Sequence, residues 1–115
     1  MTWNDKTLVE RLAGDDQLAR ELVDIFLAEN PLMLAAIRAG ITRQDGEAIR
    51  LAAHALKGSV ANFIDGSAVA TARALEQAGG GRRLAEAADL MARLECELEA
   101  LAVAMREQRE AGCGF

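Results

Sequence analysis

Residues 84–105 read LAEAADLMARLECELEALAVAM, and their spacing carries the first indication of architecture. Leu84, Ala87, Met91, Leu94, Leu98, Leu101 and Met105 follow one another in steps of three and four. Such steps keep one apolar stripe on one side of a helix and mark a sustained a/d seam. In a chain of this length the seam reads as the core of a bundle, not as an intermolecular coiled coil, and a monomer is expected. The helix is expected to start near Arg82 and to be the longest in the protein.

Working back from the seam, the same period recurs. Gly79-Gly80-Gly81 reads as a turn, preceded by a shorter helix with Val69, Ala72 and Leu75 inward and Ser67 as its cap. A helix capped by Asp45 and ending near Asp65-Gly66 comes before it. Earlier still, Leu18, Leu22, Ile25, Phe26, Leu34 and Ile37 line one face of a helix that Asp15 or Asp16 caps. Pro31 should kink it, and Gly40 should end it after Ala39. A short helix from about Asp5 to Ala13, capped by Asn4 and stopped by Gly14, would cover one end. The expected fold is all-α: an antiparallel up-down-up-down four-helix bundle over residues 1–110, with an extra short N-terminal helix and a frayed tail at 111–115.

Composition agrees. The 115 residues fit a single domain, tyrosine is absent, and Trp3 is the only tryptophan. A net charge of −5 argues against nucleic acid as a bulk electrostatic partner. No cationic leader with an apolar run and no membrane-length apolar stretch is visible, so membrane insertion is not expected and a cytoplasmic location is. Cys96 and Cys113 are too few and too unevenly placed for a disulfide framework.

The candidate chemistry sits in Leu51-Ala52-Ala53-His54-Ala55-Leu56-Lys57-Gly58-Ser59-Val60-Ala61-Asn62-Phe63, around the only histidine. As a helix, this stretch gathers Ile49, Ala52, Ala53, Leu56, Val60 and Phe63 on one side. His54 then points about 150° from the middle of that stripe, towards solvent. Lys57 and Gly58, at i+3 and i+4, share its face. A neutral imidazole is a nucleophile, and an ammonium one turn on is a counterion for phosphate oxygens. A glycine inside a helix costs about 0.5–1 kcal/mol relative to alanine, which makes sense where a partner must come close. Arg50, one turn before His54, is either a second phosphate cation or a surface arginine paired with Glu47. Ser59 and Asn62 flank the face.

Other site chemistries fit less well. A di-metal carboxylate bundle needs a Glu three residues before a His, and position 51 is leucine. His54 with the two cysteines lacks zinc-ligand spacing and a fourth ligand. Gly79-Gly80-Gly81-Arg82-Arg83 lacks the Gly-Lys-Ser/Thr ending of a phosphate loop and any preceding strand. No metal or cofactor is therefore expected on this chain. Neither cysteine stands in a recognisable nucleophile context.

His54-Ala55-Leu56-Lys57-Gly58-Ser59 followed by Asn62-Phe63 resembles the signature of the histidine phosphotransfer (HPt) domains of bacterial multistep phosphorelays. The resemblance extends over nearly the whole chain, from the acidic lead-in through the Phe- and Pro-bearing helix and the Leu75-Glu76 pair to the long last helix. It departs at Ile64, where the family often has glycine. The resemblance implies that His54 accepts a phosphoryl group and that Lys57 supports it. Arg50, Gly58, Ser59, Ala61 and Asn62 would then form the receiver-docking face. It also implies receiver domains or a hybrid histidine kinase as partners, Mg²⁺ on the receiver, and a phosphocarrier without its own ATP site. Two alternatives are the phosphate-accepting domain of a chemotaxis-type kinase and a non-catalytic helical interaction module.

Overall fold

Four helices follow one another in the computed structural model, which describes residues 15–63 and 66–110. They are α1 (Asp16–Thr42), α2 (Gly46–Ala61), α3 (Ser67–Gly80) and α4 (Leu84–Glu110). Each packs on its sequence neighbour, and α4 returns to α1 to close the ring. The expected helix over Asp5–Ala13 and the tail at 111–115 lie outside the described residues.

The seam of α4 behaves as its spacing requires. Ala87, Met91, Leu94, Leu98, Leu101 and Met105 are buried, and Leu84 packs against them half-buried. Ile49, Ala53, Leu56, Val60 and Phe63 fill the core from α2, and Val69, Ala72, Leu75 and Ala78 fill it from α3. Phe26 of α1 meets Phe63 with ring centroids 5.0 Å apart and planes tilted by 54°. This offset aromatic pair ties α1 to the far end of α2.

Helix boundaries differ from expectation in ways that packing explains. α1 runs through Gly40 to Thr42. Gly40 is buried where α1 approaches α2: a Cβ there would lie 3.1 Å from Ile49 Cγ1 and 3.2 Å from its backbone nitrogen. Its role is close approach; the helix ends at Thr42, and the left-handed residue that closes it is Gln44, whose φ is 56°. Pro31 lies inside the single helix α1, as the sequence reading expects. It is exposed beside an open groove between α1 and α4, where Leu27 also lies. Asp15 caps α1 and Asp45 caps α2, each by accepting the N–H three residues on, from Leu18 at 2.9 Å and Ala48 at 3.1 Å.

α2 ends at Ala61, earlier than Asp65-Gly66. Its last N–H groups, of Asn62 and Phe63, turn to the carbonyls of Ser59 and Val60. Ser67 is the first residue of α3, not its cap; Gly66 holds the cap position with φ 143°. The Ser67 hydroxyl instead donates to Glu97 on α4. On α1, Ala19, Val23, Phe26 and Ile37 form the buried line, while Leu18 and Ile25, expected inward, are exposed. The inner line is centred about 50° from that of the sequence reading, because α1 must face both α2 and α4.

Candidate functional site

The site lies at the middle of α2, where it runs beside α3. Ala53 and Leu56 point into the core and anchor the helix. The neighbouring positions at 54, 57 and 58 consequently turn outward or towards α3. The His54 side chain is 64% exposed, and the Lys57 side chain only 24%.

Both side chains meet one carboxylate. Glu76 of α3 lies 2.8 Å from His54 Nδ1 through Oε2 and accepts from Lys57 Nζ at 2.7 Å through Oε1. The Lys57 hydrogen bond, with that of His54 behind it, holds the Glu76 carboxyl below the usual glutamate range against the opposing effect of burial. An ionised carboxylate only accepts hydrogen bonds. The proton between Glu76 and His54 therefore sits on Nδ1, and a neutral ring keeps its lone pair on Nε2, the outward nitrogen.

Glu76 is the residue that reasoning from sequence left without a role. Its signal was present: among residues 67–80 it is the only acid, and it follows the inward-facing Leu75. What the sequence lacked was the α2–α3 alignment that brings residues 22 positions apart into contact.

The remaining predicted residues are placed as follows. Gly58 is exposed, and a Cβ built there would find nothing within 4 Å. Leu51, Ala55, Gly58 and Asn62, at i, i+4, i+7 and i+11, form an exposed line of apolar and small residues beside His54. Ala61 is exposed and Ser59 half-buried. Arg50 takes the surface-pair reading, with Nε and an Nη donating to Glu47 at 2.9 and 2.5 Å. Its charge faces Glu47 first and Glu76 beyond it. Cys96 is an exposed thiol on α4, away from α2. Among the described residues no cluster of three or more metal-ligating side chains occurs, and no helix is long and apolar enough to cross a membrane.

This arrangement offers an exposed nucleophilic nitrogen, a fixed proton on the opposite ring nitrogen, a cation one turn away and an open approach. The family model described as Hpt domain matches residues 21–104. In fold, the chain is similar to the crystal structure of histidine-containing phosphotransfer protein B (HptB) from Pseudomonas aeruginosa PAO1. The TM-score is 0.86, with 21% identity over 95% of each chain. No curated protein matches the sequence.

Proposed function

The chain belongs to the Hpt domain family and is a histidine phosphocarrier of phosphorelay signalling; from that premise we propose that His54 carries the phosphoryl group on Nε2. The observation that supports this reading is the carboxylate of Glu76 on Nδ1, which leaves Nε2 as the nitrogen with a free lone pair and an open path.

The transfer runs in line. Nε2 attacks the phosphorus of an aspartyl phosphate on a receiver domain. The N–P bond forms as the acyl P–O bond breaks, and the aspartate leaves as carboxylate with the electron pair. The ring becomes a phosphoimidazolium, whose remaining proton stays on Nδ1 and whose positive charge Glu76 offsets. The reverse sequence passes the group to a second receiver aspartate. Lys57 lies at i+3 from His54, and its ammonium is shared between Glu76 and the incoming phosphoryl oxygens. Phosphoryl transfer needs mainly positioning and charge stabilisation. Mg²⁺ and the acidic pocket belong to the receiver, and this chain contributes no ATP site of its own.

Docking uses the line Leu51, Ala55, Gly58 and Asn62 with Ala61, and Ser59 and Arg50 at its margins. An interface of about 800 Å² per partner extends well beyond one residue, so a bare backbone at Gly58 matters to the fit. The test is transfer of labelled phosphate from a phosphorylated receiver. Acid-labile, base-stable label is expected on the wild type and none on His54→Gln, with helical circular dichroism unchanged. Label that persists in His54→Gln overturns the assignment, and wild-type protein that no receiver labels supports the interaction-module alternative.

A further inference from the structure

The turn from α3 to α4 places an arginine where the backbone favours glycine. Arg82 has φ 60°. Its N–H donates to the Gly79 carbonyl at 3.1 Å, and that of Arg83 donates to Ala78 at 2.8 Å. This pair of bonds closes a helix through one left-handed residue, most often glycine. Three glycines stand immediately before, at 79–81, and none at 82. Gln44 closes α1 in the same way, so what distinguishes Arg82 is the charge that this turn holds out and what lies around it.

Arg82 is exposed, and its Cγ lies 3.5 Å from where a Cβ on Gly46 would be, so its stem crosses the start of α2. At this end of the bundle the acids are engaged: Asp45 caps α2, Glu47 holds Arg50, and Glu86 holds Arg83. Arg82, and Arg43 in the adjacent turn, make no ion pair among the described residues. A local excess of positive charge therefore stands on a chain of net charge −5. From the start of α2 to His54 is eight residues, or ~12 Å along the helix. That distance falls at the edge of a standard interface centred on His54.

We propose that Arg82, with Arg43, is the basic rim of the docking surface and steers the anionic, aspartyl-phosphate face of a receiver domain towards His54. This rests on the reading of His54 as phosphoacceptor. Rim charges act on the association rate and its salt dependence more than on the bound geometry.

The experiment uses one purified receiver domain, phosphorylated with acetyl phosphate and chosen from a panel as the fastest donor to the wild type. At low ionic strength the second-order transfer rate should fall about threefold in Arg82→Gly and about tenfold in Arg82→Glu. The differences should shrink below about twofold near 0.5 M salt, where the screening length is only a few ångströms. Arg82→Lys keeps the charge and should keep the rate. Arg82→Gly should also melt about 2–6 °C higher, because the left-handed strain is gone. Slower transfer in a more stable protein is a combination that a structural role does not produce. An unchanged rate and salt slope in Arg82→Glu, beside a normally labelled wild type, overturns the rim alone. A lower melting temperature in Arg82→Gly does the same. A wild type that takes no label from any receiver overturns the His54 reading, and the rim with it.

Discussion

Gly58 and Gly79 are both interior glycines of helices, and they are glycines for opposite reasons. Around Gly58 there is nothing within 4 Å of a would-be Cβ. At Gly79 the same atom would lie 2.8 Å from the Gly46 carbonyl oxygen, from the Arg50 nitrogen and from Ile49 Cγ2. One glycine leaves its surroundings open, and the other lets two backbones of the chain touch. The distinction separates the outer face of α2, where the proposed function gives smallness a part in transfer, from the bundle end at the α1–α2 and α3–α4 turns, where it serves packing. Substitutions should therefore divide the molecule into a region that changes stability and a region that changes rate.

The largest effect should come at the closed end. A Cβ on Gly46 would lie 2.4 Å from the Gly79 carbonyl oxygen, and backbone on both sides cannot swing away. Gly46→Ala should cost about 2–3 kcal/mol despite alanine's better helix propensity, and lower Tm by roughly 10 °C or more. Residual folded protein should still accept phosphate. Thermal melts beside single-turnover labelling check this, and a Gly46→Ala protein as stable as wild type would erase the comparison.

Next in size is Lys57→Ala, which removes a cation from the open face. Transfer should slow between a few-fold and about a hundredfold, since charge-assisted contacts contribute roughly 0.5–3 kcal/mol. The phosphohistidine should also decay faster. Lys57→Arg should restore the rate only in part, the planar guanidinium being bulkier than a compact ammonium. Rates and half-lives of both variants, compared with wild type, decide whether Lys57 has more than its Glu76 contact to offer.

Gly58 then gives a pair of opposed outcomes. Gly58→Leu should retain wild-type stability and lose about tenfold or more in transfer by obstructing the partner, while Gly58→Ala should gain about 0.5–1 kcal/mol and transfer near normally. A Gly58→Leu protein that unfolds would place Gly58 with Gly79, among the close-packing glycines.

The smallest effect concerns pH. The Glu76 carboxyl is held below its ordinary range, chiefly by Lys57, so the folded state binds its proton less readily than the unfolded state does. The stability this provides is fully present above the ordinary glutamate range, and it is lost as pH falls through the lowered folded value. Melts of wild type and Glu76→Gln between about pH 7 and pH 3 should converge on acidification. Melts that already coincide at pH 7 would mean that the Glu76 charge contributes little to the fold.

The seam of α4 and the stripe of α2 were legible in the sequence because burial repeats with the helical period, and one exposed position, His54, followed from that stripe. The line of α1 was only half legible, since Leu18 and Ile25 fit an inward stripe as well as Ala19 and Val23 do until two neighbouring helices fix its centre. Gly40 and Ser67 carried local signals for a stop and a cap that tertiary contacts with Ile49 and Glu97 reassigned. Glu76 and the Gly46–Gly79 contact were illegible for a shared reason: each joins residues on different helices, and no local period encodes how two helices slide past one another. The solvent side of the site was therefore readable, and the side that holds the imidazole in place was not.

If α3 fixes which nitrogen of His54 faces the partner, the position of phosphorus on the ring is set in advance. ¹H–¹⁵N and ³¹P NMR of ¹⁵N-labelled protein, phosphorylated by a receiver, reads this directly. A single phosphohistidine is expected, with phosphorus on Nε2 of His54 and a slowly exchanging proton on Nδ1, the latter lost or broadened in Glu76→Gln. Phosphorus on Nδ1 would contradict it, because that nitrogen is the one held by Glu76.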